Sequence, residues 1–217
     1  MSWIITGSEK YETDPYRSQV SLLLHGDGTN GSTTITDSSP SPKTVTAFGN
    51  AQISTAQSKF GGASIALDGT GDYLNTSAGS INQRTEPFTI ESWAWISTRT
   101  NFVLLSTTTF YWQEVGGIVY FGDSGANPIQ ISSSELPLSD WFHVAISFDA
   151  TTYRIFIGGV QKGITTTLLS NNVLGSISIG ARGSSVLTGY LDDFRITKGV
   201  ARYTSNFTPP TAPFPDV

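Results

Sequence analysis

One stretch of this chain, WFHVAISFDATTYRIFIGGVQK from Trp141 to Lys162, leaves few folds open to it. Phe142, Val144, Ile146 and Phe148 alternate with His143, Ala145, Ser147 and Asp149, a period of two that sends successive side chains to opposite faces of a strand. Asp149-Ala150-Thr151-Thr152 then interrupts the run with turn formers. Beyond it, Tyr153, Ile155 and Ile157 share one face, and Arg154 and Phe156 the other. Gly158-Gly159 can take the positive φ of a two-residue hairpin turn, and Val160 opens a third run. Three antiparallel strands with apolar faces do not stand alone in water, so the remaining chain has to cover them.

The flanking sequence supplies that cover in the same form. PFTIESWAWIS, NFVLLSTT, FYWQEV, GIVYFGD and PIQISS follow one another at intervals of about 8–12 residues, the spacing of a sandwich or barrel. Upstream, SQVSLLLH is a buried strand that runs into the turn-rich loop GDGTNGSTTITDSSPSPK. TVTAFGNAQIS and ASIALDG are short strands on either side of AQSKFGG. Ile53, Ala56 and Phe60 have helical spacing, but Gly61-Gly62 stops a helix at once, so an extended segment with a turn is expected. GTGDYLNTS reads as a hairpin partner, and GSISIGA and VLTGYLDDFRITKG complete the set. No helix longer than two turns and no internal repeat is expected. Three parts follow: an N-terminal arm over 1–17, a domain over 18–207, and a proline-rich strap over 208–217.

Composition removes several classes of function. Charged residues are 13% of the 217, about half the usual share, and Ser, Thr, Gly and Asn take their place. A net charge of −5 without a basic stripe argues against nucleic acid. The absence of cysteine excludes a disulfide framework, leaving robustness to packing or to a homo-oligomer. No run of about 18 apolar residues and no basic, then apolar, leader is present, so neither membrane insertion nor a signal peptide is expected.

Five segments carry a resemblance: SLLLHGDGTNGS, SKFGGASIALDGTGDYL, PFTIESWAWI, WFHVAISFDATTYRIFIGGV and GYLDDFRITKGVARYTSNFTPPTAPFP. In this order, over about residues 18–215, the chain resembles the laminin-G-like branch of the concanavalin A-like lectin/glucanase superfamily. The resemblance implies an all-β, two-sheet antiparallel jelly-roll sandwich. Gly26 stands where that family usually has an aromatic, and Gly158-Gly159 where it has Asn-Gly. The final segment, with FRITKGVARYT and the prolines after it, is similar to versions found in tailed-phage virion proteins. The implied role is a non-enzymatic protein at the virion surface, as capsid decoration or as a tail or fibre adhesin that binds host cell-surface glycans. The alternatives are a glycan-degrading enzyme of the same superfamily and a purely structural cementing module.

The residues bear on these alternatives separately. A retaining glycanase needs two carboxylates about 5 Å apart on one face. Glu86 and Glu91 do not share a strand face in that way, Glu114 and Glu135 stand alone, and neighbouring Asp192 and Asp193 point to opposite faces. His25 and His143 are the only histidines, no Gly-x-Ser-x-Gly elbow occurs, and His143 reads as a polar strand residue, so no catalytic residue is assigned. Trp93 and Trp95 share a face with Glu91, and Tyr111 and Trp112 follow; these four are the candidate sugar platform, or else they are core. The resemblance implies a structural Ca2+ between Asp27 of the first long loop and Asp192 of the last strand. By parity Asp192 faces inward with Phe194 and Ile196, so it needs a partner, whether a metal or backbone N–H groups. Trp3, Ile4, Ile5, Tyr11 and Tyr16 dot the arm, which either docks on other virion proteins or a sister subunit or folds back as an edge strand.

Overall fold

Apart from two short 3-10 turns, Arg17–Gln19 and Ser133–Glu135, every regular element among the described residues is a β-strand. The computed structural model describes residues 13–123, 126–170 and 172–216. In chain order the first strands are β1 (Val20–Leu24), β2 (Thr46–Phe48), β3 (Gln52–Ser54), β4 (Ser64–Asp68), β5 (Tyr73–Asn82) and β6 (Phe88–Ile96). Then come β7 (Val103–Ser106), β8 (Phe110–Val115), β9 (Ile118–Asp123), β10 (Ala126–Ser132), β11 (Trp141–Phe148) and β12 (Tyr153–Ile157). The last are β13 (Val160–Thr165), β14 (Val173–Ile179), β15 (Ala181–Arg182), β16 (Ser185–Val186) and β17 (Thr188–Lys198).

Two large sheets result. The first has the order β13-β12-β11-β6-β17-β4-β3, with β1 also on β17; the second runs β10-β9-β8-β7-β14-β5-β2. The Trp141–Lys162 stretch gives β11, β12 and β13 in antiparallel register, and the β12–β13 turn has φ of 58° at Gly158 and 77° at Gly159. Phe142, Val144, Ile146 and Phe148 point into one large core with Phe88, Ile90, Phe110, Trp112 and Phe121. The sandwich expected from the sequence is the architecture observed. Two local expectations are corrected. Tyr73–Asn82 is not a hairpin partner of Ser64–Asp68: β4 stays in the first sheet, whereas β5 crosses to the second and pairs with β14 and β2. Asp192 does not face inward either. A bulge between Asp192 and Arg195, with Asp193 at φ 48°, shifts the parity, so Asp192 lies opposite Trp93 while Phe194 and Ile196 stay in the core.

The outer face of the first sheet is covered by the C-terminal segment. Arg202 N–H donates to Thr89 Oγ1 at 2.9 Å and Phe207 N–H to Gly159 O at 3.0 Å. A Cβ at Gly159 would run into the Phe207 carbonyl. Tyr203 and Phe207 stack on each other and pack edge-on against Phe156, and Phe214 is buried against Val20 and Leu23. Docking therefore begins well before the proline-rich run that the sequence marks as the strap.

Beneath this segment lies a buried ionic network. Arg195 donates to Glu91 Oε1 at 3.0 and 2.8 Å and to Asp14 Oδ2 at 3.1 Å, while Arg202 donates to both Asp14 oxygens at 3.0 and 2.6 Å. His143 Nε2 is 3.1 Å from Glu91 Oε2, to which Tyr203 also donates at 2.7 Å. Burial by itself pushes the Glu91 carboxyl up, but the Arg195 charge, His143 and Arg202 outweigh it and hold it far below the usual range. Asp14 is lowered in the same way, burial opposing and Arg202 prevailing. Asp14 belongs to the residues read as an arm over 1–17, yet it is buried in the sandwich. Tyr16 is exposed, with the Arg202 guanidinium 5.3 Å from its ring, whereas Trp3, Ile4, Ile5 and Tyr11 lie outside the described residues.

Candidate functional site

The four aromatics singled out in the sequence do not form one platform. Trp112 lies 1% exposed in the core, edge-on to Phe121. Trp93 is on the outer face of the first sheet but is closed over by Lys59, whose Nζ is 3.9 Å from the ring centroid, and by Phe60. Trp95, on the same face, is half-buried and meets Tyr190 edge-on at 5.5 Å. These two rings line an opening of about 400 Å3 with Asn50, Gln52 and Asp68. Tyr111 faces outward from the second sheet, with its ring beneath the Arg182 guanidinium.

The larger opening, about 640 Å3, is on the outer face of the second sheet. Register explains its chemistry. Tyr111 is opposite Ser106, Ser106 opposite Ser178, Ser178 opposite Asn75, and Asn75 opposite Thr46. Directly opposed residues share a face, so one row of hydroxyls and amides crosses β8, β7, β14, β5 and β2. Tyr73 at one end stacks on Phe48 with centroids 4.5 Å apart and planes within 5°. At the other end the β15–β16 hairpin rises beside Tyr111, pinned by Ser106 Oγ donating to Ala181 O at 2.6 Å. Gly175 leaves open space where a side chain would stand. Among the described residues no Asp, Glu or His lines this groove, and the one charge is Arg182. A volume of this size, a few directed polar groups and an aromatic end are what a small polar ligand requires.

Sequence reasoning missed Tyr73, Asn75, Ser106, Ser178 and Arg182. Each occupies an outward strand or hairpin position, but only cross-strand register brings β5, β7 and β14 together. The period of two in each strand was the available signal, and it says which residues face out without saying beside what.

The two carboxylates implied for calcium are both raised. Asp192 is pushed to about 7, chiefly by burial, with the charges of Asp193 and Asp27 adding and N–H donors from Phe60 and Lys59 opposing. Its Oδ2 accepts from Lys59 N at 2.8 Å and Phe60 N at 3.1 Å. Asp27 is exposed over Gly61, raised by desolvation first and by Asp193 and Asp216 after the opposing His25. Among the described residues no three His, Asp or Glu side chains form a metal-holding group. A cation here would have two carboxylates and loop carbonyls to bind. Close by, His25 sits between Asp193 at 2.5 Å and Asp216 at 2.7 Å; burial lowers it, but the two carboxylates raise it to about 9.

Comparisons with known proteins agree with this architecture. Domain 4 of AbnA, a GH43 extracellular arabinanase from Geobacillus stearothermophilus, in complex with arabinotriose, superposes with a TM-score of 0.61 at 16% identity, over 84% of this chain and 94% of that one. The binding domain of botulinum neurotoxin DC in complex with SialylT gives 0.62 at 16% identity, over 83% of this chain and 48% of that one. The botulinum neurotoxin serotype D binding domain gives 0.63 at 15%, over 85% and 49%. The chain thus spans about half the length of the toxin binding domains. Likeness at these identities establishes the fold. Among curated protein sequences none matches. The family model Laminin_G_3 matches residues 68–202, more than half of the sequence. With both sheets and that match in place, the chain belongs to the Laminin_G_3 family of the concanavalin A-like lectin/glucanases superfamily.

Proposed function

We propose that this protein is a non-enzymatic carbohydrate-binding module that takes its glycan in the groove on the outer face of the second sheet. The observation that carries this reading is the cross-strand row Ser106, Ser178 and Asn75 ending at the Tyr73–Phe48 stack. Sugar hydroxyls need directed partners, and the C–H face of a pyranose packs on a ring; the groove offers both. The usual glycosidase mechanism needs a pair of carboxylates, and none is among the described residues lining the groove. Glu91 is engaged by Arg195 and Tyr203 beneath the C-terminal segment. A glycan array followed by calorimetry tests the reading. Tyr73→Ala and Gly175→Leu should each weaken the best ligand about tenfold or more with little change in melting, while a reducing-sugar assay stays flat. If Trp95→Ala abolishes binding and the groove variants do not, the Trp95–Tyr190 opening is the site.

The resemblance of the C-terminal segment to phage versions supports a place at the virion surface, held through the N-terminal residues and facing host glycans. Antibody labelling of purified particles tests this, and a protein absent from every particle removes it.

A structural calcium on Asp27 and Asp192 has a pH signature. Asp192 is raised from 3.8 to about 7, so the folded state holds the extra proton and stability falls as pH rises across that window. His25 is raised from 6.5 to about 9, so its contribution is complete below 6.5 and is lost as pH rises through about 9. Melting temperature should therefore decline from about pH 5 to about pH 9, with Asp192→Asn flattening the lower part and His25→Gln the upper. Calcium binds the ionised carboxylate, so it should raise the melting temperature at about pH 8, have little effect at about pH 5, and do nothing for Asp192→Asn. Identical curves with calcium and with chelator at the higher pH leave Asp192 a carboxylate satisfied by backbone alone.

A further inference from the structure

Glycan binding in the groove leaves its one charge without a role. Arg182 lines the groove, and the single contact of its guanidinium among the described residues is the face of Tyr111, 3.8 Å from the ring centroid. Most surface arginines either pair with an acid or wave in solvent. This one does neither, because both parts of its seat are fixed. The Tyr111 hydroxyl donates to Asp123 O at 3.1 Å, which holds the ring. The hairpin beneath Arg182 is tied to β7 through Ser106 and closed by Leu187 N–H donating to Gly180 O at 2.8 Å. A guanidinium lying flat on a ring keeps its N–H donors in plane and free at the edge, and its rotamers are already restricted before a ligand arrives. No carboxylate among the described lining residues competes for those donors.

We propose that the groove selects acidic sugars, with the Arg182 fork taking the carboxylate of a uronic or sialic acid unit while the hydroxyl and amide row holds the neutral remainder. The assignment rests on the groove being the glycan site. A carboxylate is favoured because its two coplanar oxygens match the planar fork. The net charge of −5 opposes an anion little, since exposed charges farther than about 8 Å from the bound carboxylate are screened at physiological ionic strength.

The test is calorimetry on the full chain with oligogalacturonic acid, its methyl ester, sialyllactose, lactose and a sulfated galactan. One of the acids should bind about ten- to a hundredfold more tightly than its neutral counterpart, the range of a charge-assisted hydrogen bond. The preference should shrink with added salt. Arg182→Gln should bring the acid down to its neutral counterpart, and Arg182→Lys, which keeps charge but loses the fork, should restore only part. Equal binding of acid and neutral sugar by the unaltered protein, or a preference that survives Arg182→Gln, overturns the assignment. So does a preference for sulfate over carboxylate. In each of these cases, loss of neutral-sugar binding in Tyr73→Ala leaves the groove itself standing. No binding of any saccharide removes the groove reading and this inference together.

Discussion

Arg195→Met is expected to destabilise the protein by about 3–5 kcal/mol, the cost of leaving a buried charge without its partner. Arg195 is 4% exposed and Glu91 fully buried, so neither can turn to water when the other is removed. The guanidinium ties Glu91 on β6 to Asp14 ahead of β1, and its face lies 3.6 Å from the Phe214 ring. One substitution therefore loosens the sheet, the N-terminal segment and the C-terminal segment together. For a chain of this size the loss corresponds to a fall in melting temperature of about 6–20 °C. Glu91 then keeps His143, Tyr203 and a more distant Arg202 at 3.8 Å, so its carboxyl moves up. A depressed carboxylate contributes stability above its ordinary range and loses it as pH falls, so the variant should unfold at a less acidic pH than the parent. Replacing both partners, Glu91→Leu with Arg195→Met, should cost less than the sum of the single changes. A single variant that melts like the parent would mean the network holds nothing together.

Deleting residues 203–217 should leave a chain that does not fold stably or stay in solution. Phe156 and His143 are fully buried only because Tyr203 and Phe207 lie on them, and Phe214 closes the satellite core over Val20 and Leu23. Fully burying an aromatic side chain is worth about 1.5–3 kcal/mol. Phe214 is buried and Tyr203 and Phe207 half-buried, and their loss together with the burial they give Phe156 and His143 is a large part of the stability of an ordinary domain, about 5–15 kcal/mol. The deletion also removes the Tyr203 hydroxyl from Glu91 and exposes the apolar patch around Phe156. Gly159→Ala tests the same docking with one atom, since its Cβ collides with the Phe207 carbonyl at a φ of 77°. A truncated chain with the parent's melting and solubility would show that the segment is only a tail.

The sequence by itself determined the strands and the sandwich. Alternation in Phe142–Phe148 and Tyr153–Ile157 and the Gly158-Gly159 turn are local facts, and each strand's inner face follows from a period of two. Composition and spacing also offered no carboxylate pair at the spacing a retaining glycanase needs. Tertiary structure decided the rest, because parity fails at a bulge and pairing is not local. Asp192 changed faces when Asp193 entered the left-handed region. Trp93, Trp95, Tyr111 and Trp112 look alike as outward or inward aromatics in sequence, yet one is core, one is roofed by Lys59, and the other two lie on different sheets. Asp14 and Glu91 are 77 residues apart in the chain and are joined only in the fold, by Arg195 and, more distantly, Arg202. The groove joins β5, β7 and β14 with a hairpin from beyond Gly180, and no strand knows its neighbours until the two sheets have closed on the core.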